Sequence, residues 1–366
     1  MTDYTINSPG SSTTTFPENL EVRDKLIFNN TSTGRDGTIL DWTVPVEMEV
    51  RITAYGAQGG AGTRSGIGGK GAKISGEFEL QEGNKLDILV GQEGGGGSSQ
   101  EIGGGGGSFV THANASTESD ILIIAGGGGG YGVGSGTTYQ DRAHAPITKN
   151  GKDGYGGSSW GAGGTNGSGG EAASSRGSGG GGYSGDGQHG GSSGGGQAFL
   201  NGALGGVGNS VDGGYGCGGA TDRGTGWGAA SGGGGYSGGG GAYSDSDSDE
   251  AVGGGGGSYN NGTNQDNESG VNTEHGLVEI EILSIGSFTI KGKVTLNSTI
   301  IEGAKVRLIN DTTNTYVGDT LTDVNGEYEF NVGSDTDDFH AMVEYESGGN
   351  KYHAVSYPFI KGEEDE

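Results

Sequence analysis

Hydrophobic and polar residues alternate in several short stretches in the first third of the chain and again near residue 280. Within residues 46–54 every second residue is apolar, and the residues between are charged or polar. A period of two is typical of a β-strand with one buried face. Further strands are predicted at residues 26–28, 38–44, 72–80, 85–90, 109–110 and 276–283. Residues 121–124 are apolar at every position, which predicts a central strand covered on both faces.

After Gly286 the chain shows six short strand patterns at regular spacing. They cover residues 288–294, 304–308, 316–321, 327–332, 340–345 and 352–356. Asn310-Asp311 and Asn325-Gly326 supply turn signals between them. So many short strands in one short region predict a small β-sandwich.

Between these two regions, short runs of glycine recur with small polar or aromatic residues between them. The runs occupy residues 94–97, 103–107, 126–130, 179–182, 194–196, 232–235, 238–241 and 253–257. Ordering a glycine costs about 0.5–1 kcal/mol more than ordering an alanine, so backbone hydrogen bonds must offset that cost if the runs are folded. Two interpretations are open: a flexible linker, which usually explains such composition, or short extended helices packed side by side.

The arrangement of the runs favours packed helices. The runs are of similar length, alternate with loops that carry Tyr, Trp or Phe, and are flanked by strong strand patterns. A polyproline II helix has three residues per turn and no internal hydrogen bonds, so its backbone groups must pair with neighbouring helices. Only glycine lets backbones approach closely enough on every side. The sequence therefore predicts a polyglycine II lattice, at about residues 126–260, inserted into a β-sandwich.

Composition narrows the possible partners and the environment. The 366 residues include 90 glycines, 46 acidic and 19 basic residues, for a net charge of −27. A nucleic-acid-binding protein needs a basic surface, so nucleic acid is not an expected partner. Acid spread along the chain suits a protein that stays soluble in concentrated salt and predicts a halophilic source, with an ordinary acidic surface protein as the alternative. No apolar stretch is long enough for a membrane span, and the polar N-terminus lacks a signal-peptide pattern.

Candidate chemistry is sparse. Residues 66–71 satisfy G-x-G-x-x-G, but a chain so rich in glycine contains this pattern by chance, and no helix pattern follows. Cys217 is the only cysteine and is interpreted as a passive thiol. Asp245, Asp247 and Asp249 form an alternating acidic run that predicts either a Ca²⁺ or Mg²⁺ site or a solvated loop. No other cofactor is expected, and the six histidines show no metal-ligand spacing.

Aromatic residues of the glycine-rich region are the main candidates for recognition. They lie among Ser, Gly and Asn, the residues that dominate antibody paratopes, where rigid rings give contact area at low entropic cost. The alternative is that the rings cap the glycine helices or wedge between them, and Tyr183 and Tyr236 are assigned to that structural role. The predicted receptor-binding residues lie in longer loops and are Trp160, Phe199, Trp227 and Tyr243.

Several motifs together resemble a known family. They are Ile-Thr-Ala-Tyr-Gly-Ala-Gln-Gly-Gly at residues 52–60, Gly-Gly-Lys-Gly-Ala at 68–72, Leu-Asp-Ile-Leu-Val-Gly-Gln-Glu-Gly-Gly at 86–95, Gly-Gly-Gly-Gly-Ser-Phe-Val at 104–110 and Leu-Ile-Ile-Ala with five glycines at 122–130. Through them, residues 40–283 resemble the glycine-rich ectodomain of the anaplastic lymphoma kinase type of receptor, glycine-rich proteins of microbes and viruses, and phage long-tail-fibre adhesins. The resemblance implies a jelly-roll-like sandwich carrying packed polyglycine helices, with receptor-binding loops at one end of the lattice. Without a kinase or a membrane span, receptor signalling is not implied.

A second resemblance covers the C-terminal region. Gly-Lys-Val at 292–294, Glu-Gly-Ala-Lys-Val-Arg-Leu at 302–308 and Thr-Asp-Val-Asn-Gly-Glu-Tyr-Glu-Phe at 322–330 resemble the carboxypeptidase regulatory-like, or transthyretin-like, domain. Members of that family are mostly structural or adhesive modules. The resemblance implies an Ig-like β-sandwich without catalytic residues.

The sequence thus predicts an all-β protein in four parts: an N-terminal arm or attachment segment (1–24), a glycine-rich sandwich with its lattice (25–283), a C-terminal Ig-like sandwich (284–361) and an acidic tail (362–366). The expected function is that of a non-enzymatic virion surface protein, a tail fibre, tail tip or capsid spike of a halophilic archaeal virus. Its expected partners are a host glycan or glycoprotein, other virion proteins and further copies of itself, without membrane insertion. The alternative is a cell-surface or secreted adhesion or matrix protein. A glycan depolymerase comes third, because it needs paired carboxylates in one cleft.

Overall fold

The computed structural model describes residues 2–8, 16, 20–62, 67–96, 101–132, 139–174, 176–222, 228–245, 250–286, 288–311, 314–332 and 339–355. Over these residues the chain is almost entirely strand and irregular backbone, which confirms the all-β prediction. It divides into two compact units, Met1–Ser284 and Ile285–Glu366. No helix within the described ranges is long and apolar enough to cross a membrane.

The described strands, in chain order, are β1 (Asp3–Ser8), β2 (Lys25–Asn30), β3 (Leu40–Thr43), β4 (Met48–Tyr55), β5 (Gly71–Leu80), β6 (Lys85–Leu89), β7 (Glu101–Ile102), β8 (Ser108–His112), β9 (Ile121–Ala125), β10 (Tyr131–Gly132), β11 (Tyr155–Gly156), β12 (Ser159–Trp160), β13 (Ala229–Ala230), β14 (Ala242–Tyr243), β15 (Ala251–Val252), β16 (Tyr259–Asn260), β17 (Glu268–Asn272), β18 (Leu277–Ile285), β19 (Phe288–Lys293), β20 (Thr295–Leu296), β21 (Thr299–Ile300), β22 (Lys305–Asn310), β23 (Thr315–Leu321), β24 (Glu327–Val332), β25 (Phe339–Ser347) and β26 (Asn350–Val355). The helical segments are α1 (Gln140–Ala143) and two 3-10 turns, Glu118–Asp120 and Phe199–Asn201.

Two sheets pack face to face and form the sandwich of the N-terminal unit. One has the strand order β1-β2-β18-β4-β5-β17 and the other β16-β9-β8-β6-β3, and β4 and β5 contact β9 across the core. In β4, Met48, Val50 and Ile52 are buried, whereas Glu49 and Arg51 on the other face are exposed. All five residues of β9 are buried. The alternating sequence of β4 thus reflects burial of one face, and the uniformly apolar sequence of β9 reflects burial of both faces.

The predicted N-terminal arm contains an edge strand of the larger sheet. β1 pairs in parallel with β2, from Asp3 opposite Lys25 to Ser8 opposite Asn30. Ile6 is buried and anchors the strand. The segment is polar and was therefore predicted as an arm, but one buried side chain and pairing to β2 hold it in the sheet.

The glycine runs form a lattice in which the hydrogen bonds repeat every third residue. Along residues 127–130, successive N–H groups donate to three different neighbouring segments, and the fourth returns to the first. The donor and acceptor pairs are Gly127 to Gly234, Gly128 to Ala57, Gly129 to Ala143 and Gly130 to Ser231. Residues 232–235 repeat the pattern, with the pairs Gly232 to Ser178, Gly233 to Gly254, Gly234 to Gly105 and Gly235 to Gly181. A helix with three residues per turn, in which every backbone hydrogen bond goes to a neighbouring segment, is a polyglycine II helix.

Close packing of backbones explains why these positions are glycine. A Cβ atom placed on Gly128 would overlap the carbonyl oxygen of Gly69, and one placed on Gly233 would overlap that of Gly127. Neither glycine has a positive φ, so the requirement is for space and not for a left-handed conformation. Any side chain on these residues would push neighbouring helices apart and break the hydrogen bonds between them.

Tyrosine turns attach the lattice to the sandwich. Two glycine runs end in the same Gly-Tyr-Ser-Gly turn, at residues 182–185 and 235–238, and both tyrosines are buried, as predicted for a structural role. They share one hydrophobic cluster with Phe109 of β8 and Ile124 of β9. We call this the proximal end of the lattice, because it lies against the sandwich.

The C-terminal unit is a small sandwich of its own. Its sheets have the orders β19-β24, β20-β21 and β23-β22-β25-β26, and its core contains Ile290, Val306, Leu308, Phe330 and Phe339. The hairpin β20-β21 falls where no strand was predicted, because two-residue strands are too short to show alternation. β26 is an edge strand, and all six of its residues are exposed.

Candidate binding surface at the distal end of the glycine lattice

The lattice has a second end, one run length away from the sandwich. Residues 126–130 lead from β9 to β10, and residues 103–107 lead back from β7 to β8. A run of five residues spans about 15 Å at 3.1 Å per residue. β10 belongs to the sheet β10-β15-β11, and β7 to the sheet β12-β14-β13-β7. We call these two small sheets, together with Tyr139 and α1, the distal end.

Three aromatic rings form a row at the distal end. Trp160 in β12 is 57% exposed, and its ring stacks on Tyr155 of β11 with 6.4 Å between ring centroids and 23° between ring planes. Tyr155 stacks in turn on Tyr139, with 3.6 Å between centroids. Both tyrosines pack against the buried Tyr131 and Val252. The row is thus anchored in a small core at one side and open to solvent at Trp160.

Charged groups of α1 and the following loop lie beside the row. The Arg142 guanidinium carbon is 5.8 Å from the centre of the Tyr155 ring, and Nη1 donates to the Gly154 carbonyl at 3.5 Å. An open cavity of about 490 Å³ is lined by Asp141, Arg142, Gly151, Lys152 and Asp153. Burial lowers the pKa of Lys152, whose ammonium group donates to the Asp141 carbonyl at 2.6 Å. Flat rings next to charges of both signs can bind a ligand by stacking and by hydrogen bonds.

A second group of side chains surrounds Tyr243. In the pairing of β12 with β14, Ser159 lies opposite Tyr243, so these two residues share one face of the sheet and Trp160 lies on the other. The Arg176 guanidinium carbon is 5.1 Å from the centre of the Tyr243 ring. The Ser159 and Ser174 hydroxyl oxygens are 2.8 Å apart. Two of the four predicted receptor-binding residues, Trp160 and Tyr243, therefore lie together at the distal end.

Phe199, also predicted as a receptor-binding residue, is buried at the proximal end, away from Trp160 and Tyr243. Phe199 begins a 3-10 turn at the proximal end, where its N–H donates to the Gly182 carbonyl. Its ring is 6% exposed and stacks on Phe109 and Tyr183, with centroid distances of 4.9 and 5.8 Å. The loop folds back onto β8 because burial of a ring without polar atoms is strongly favourable.

Trp227, Asp247 and Asp249 lie outside the described residues. The third aspartate of the acidic run, Asp245, is exposed, and both its carboxylate and its N–H are hydrogen-bonded to the Ser158 hydroxyl. Where the structure describes the chain, no group of three or more His, Cys, Asp and Glu side chains could hold a metal ion. The Ca²⁺ or Mg²⁺ site stays a prediction.

Cys217 lies in the core of the proximal end and not at the distal end. It is fully buried in the cluster that contains Tyr215 and Tyr236, and its backbone has a φ of +74°. Burial raises the pKa of the thiol, so it remains protonated at neutral pH. A protonated, inaccessible thiol agrees with the passive role assigned from the sequence.

Tyr139, Tyr155, Arg142 and Arg176 were not among the four predicted binding residues, although both tyrosines belong to the candidate aromatic residues of the glycine-rich region. One signal for the arginines was available, since basic residues are scarce in this chain and both lie near loops that carry aromatic residues. The stacking partners were not readable, because they depend on which loops meet at the same end of the lattice. A search against models of known protein families finds no match for this chain.

Proposed function

We propose that the chain is a virion surface protein, a tail fibre, tail tip or capsid spike, that presents the distal end of its lattice for attachment to a host cell. The proposal includes a halophilic archaeal virus as the source, a host surface glycan or glycoprotein as the receptor, and no enzymatic activity. The resemblance of residues 40–283 to tail-fibre adhesins supports this assignment, as does the resemblance of the C-terminal unit to a family of mostly structural or adhesive modules.

The observation that carries the proposal is the contrast between the aromatic residues at the two ends of the lattice. At the proximal end, Tyr183 and Tyr236 are buried, whereas at the distal end Trp160 is 57% exposed. Tryptophan, tyrosine and arginine are the residues most enriched in binding hot spots. The lattice fixes the ring row through bonds on several sides of each run, so little entropy is lost when a partner binds.

Binding of the full-length chain to envelopes of host cells tests the proposal. We expect Trp160→Ala to lower the affinity by about thirtyfold or more, because truncation of an aromatic hot spot costs about 2 kcal/mol or more. Tyr316→Ala is the matched control, since Tyr316 is 59% exposed but belongs to the C-terminal unit. The variant melting temperatures should equal that of the wild type. Unchanged envelope binding by Trp160→Ala would contradict attachment through the distal end.

The location of the chain separates the main proposal from its alternative. Antibodies against the purified chain should label virus particles, and labelling should be blocked by host envelopes if the distal end is occupied. Labelling of the surface of the producing cells, with none on particles, would favour the cell-surface adhesion or matrix protein.

Assembly with other virion proteins and with further copies of the chain belongs to the same proposal. Among the described strands, β26 lies at the edge of its sheet, and an edge strand can pair with another strand. Tyr352 of β26 stacks on Tyr345 of β25, with 6.3 Å between the ring centroids. We infer that a second copy pairs antiparallel through β26. With Tyr352 opposite Tyr352 the two sheets present the same face, because directly opposite residues share a face. Light scattering measures the order of assembly, and a monomer at every concentration contradicts this contact.

A further inference from the structure

Arg176 carries a donor that none of the described residues satisfies. Arg51 pairs with Glu77 and Arg307 with Asp319, whereas Arg142 and Arg176 have no carboxylate within ion-pair distance in the part of the chain that the structure describes. Unlike Arg142, Arg176 has a buried Nη1 atom without a hydrogen-bond partner among the described residues. A buried donor without an acceptor is unfavourable unless something else binds it.

Hydrogen bonds anchor the backbone around Arg176. The Arg176 N–H donates to the Ala173 carbonyl at 3.1 Å, and the Ala173 N–H donates to Gly177 at 2.8 Å. The Arg176 carbonyl accepts hydrogen bonds from the Ser193 hydroxyl at 3.0 Å and from the N–H of Asp222 at 3.3 Å. The guanidinium then lies over the Tyr243 ring. The anchored backbone and the ring contact restrict where the guanidinium can lie before any ligand binds.

Arg142 provides an internal comparison. It also lies over a tyrosine of the distal end, but its Nη1 donates to a backbone carbonyl of the chain. A guanidinium that only supports a ring can therefore find an acceptor at this end of the lattice. Arg176 stacks on its ring and keeps a donor unpaired, so stacking alone does not account for it.

We propose that Arg176 is an oxyanion subsite, and that the ligand of the distal end is a saccharide carrying a carboxylate or a sulfate group. The inference rests on the proposed function. A guanidinium presents its donors in a planar fork that matches such oxyanions. The Ser159 and Ser174 hydroxyls, beside Tyr243 and on the face of the sheet away from Trp160, supply hydrogen bonds for sugar hydroxyls. An anion and several hydroxyls occur together in an acidic sugar.

Titration of the full-length chain with three short oligosaccharides tests this subsite. One is built of uronic acids, the second is its carboxyl-reduced neutral form, and the third is that neutral form with a sulfate ester. Measurements at about 1 M NaCl shorten the Debye length to about 3 Å, which removes long-range repulsion by the net charge of −27. The wild type should bind one or both charged probes at least tenfold more tightly than the neutral one. Which of the two is preferred identifies the anion.

Substitutions at position 176 separate recognition from structure. Arg176→Gln should lose the preference for the charged probe and keep its affinity for the neutral probe, and Arg176→Lys should be intermediate because an ammonium lacks the fork. Arg307→Gln in the C-terminal unit controls for loss of one positive charge. The melting temperature of Arg176→Gln should fall only slightly, since the unpaired nitrogen has no partner among the described residues and the lost contact with the Tyr243 ring contributes little to stability. A clear fall in melting temperature, with the preference retained, would assign Arg176 a structural role.

The remaining outcomes separate the oxyanion subsite from the proposed attachment function. Equal affinity of the wild type for charged and neutral probes, or no binding of either charged probe, overturns the subsite. If Trp160→Ala still abolishes binding to host envelopes in that case, the attachment function stands and only the acidic ligand is wrong. If the wild type binds neither probes nor envelopes, both the subsite and the proposed function are wrong.

Discussion

A single histidine shows how side chains take part in the backbone lattice. Nδ1 of His144 accepts a hydrogen bond from the N–H of Lys70 at 3.1 Å, which requires that nitrogen to be unprotonated. Burial lowers the pKa of His144, the positive charges of Lys152 and Lys70 lower it as well, and Asp141 opposes them. The folded protein therefore holds this ring neutral at pH values where an unfolded chain would begin to protonate it.

We expect the N-terminal unit to lose stability as the pH falls below about 6.5, the ordinary pKa of histidine. The contribution of His144 is complete above that pH and is lost as the pH falls through the lower pKa of the folded state, because the unfolded chain binds the proton first. Melting temperatures measured between about pH 8 and pH 5 test this, with His144→Asn as the control, since its amide oxygen can still accept the Lys70 N–H. If the melting temperature of the wild type depends on pH no more than that of His144→Asn, protonation of His144 does not contribute to the loss of stability.

The roles of individual residues were only partly predictable. Trp160 and Phe199 look alike in the sequence, since both are large rings in loops between glycine segments, yet one is exposed and the other is buried. The difference arises from Phe109 in β8, on which Phe199 stacks. A contact between residues so far apart in the sequence leaves no local signal. Tyr183 and Tyr236 were predictable because their short turns leave the rings no room to reach solvent.

At the scale of elements, the lattice depends on glycine most where two backbones touch. We expect Gly128→Ala to destabilise the N-terminal unit by about 2–3 kcal/mol, near the upper end of overpacking costs, because the new Cβ overlaps the Gly69 carbonyl. Gly62→Ala is the control, since the nearest atom to its Cβ is a side-chain methyl of Ile102 at 3.3 Å. That methyl can move, so a change below about 1 kcal/mol is expected.

Urea unfolding of the two variants measures this difference. Equal stabilities for Gly128→Ala and Gly62→Ala would mean that the runs are not packed backbone to backbone. A loss of stability in Gly62→Ala alone would mean that the tight backbone contact lies at Gly62 and not at Gly128.

The longer elements were predictable and the shortest were not. β4, β5, β6 and β9 lie within two residues of their predicted ends. Alternation carries information on burial for the first three, and the uniformly apolar run does so for β9. The distal sheets are made of two-residue strands, which show no period. β1 was missed for a related reason, since its single buried residue, Ile6, sets no pattern.

At the scale of the whole molecule, the sequence predicted that β18 returns to the N-terminal sheets, but it did not predict which glycine runs are neighbours in the lattice. β18 was expected to return to the N-terminal sheets, and it pairs with β2 from Leu277 opposite Asn29 to Glu281 opposite Lys25. Within the lattice, the neighbours of a run are chosen by contacts between identical glycine backbones. Few side chains take part in those contacts, so the meeting of Trp160 with Tyr155 and of Arg176 with Tyr243 was not readable.

The charge of the whole molecule leads to a prediction on salt. With 46 acidic and 19 basic residues, self-repulsion destabilises the folded chain at low ionic strength. Raising NaCl from about 0.1 M to about 1 M shortens the Debye length from about 10 Å to about 3 Å, so we expect the melting temperature to rise over this range. A further rise above about 1 M would indicate stabilisation beyond screening, as expected for a halophilic source. Sucrose at matched osmolarity is the control for preferential exclusion, and a melting temperature that rises equally in sucrose, or does not rise in salt, would remove the argument for a halophilic source.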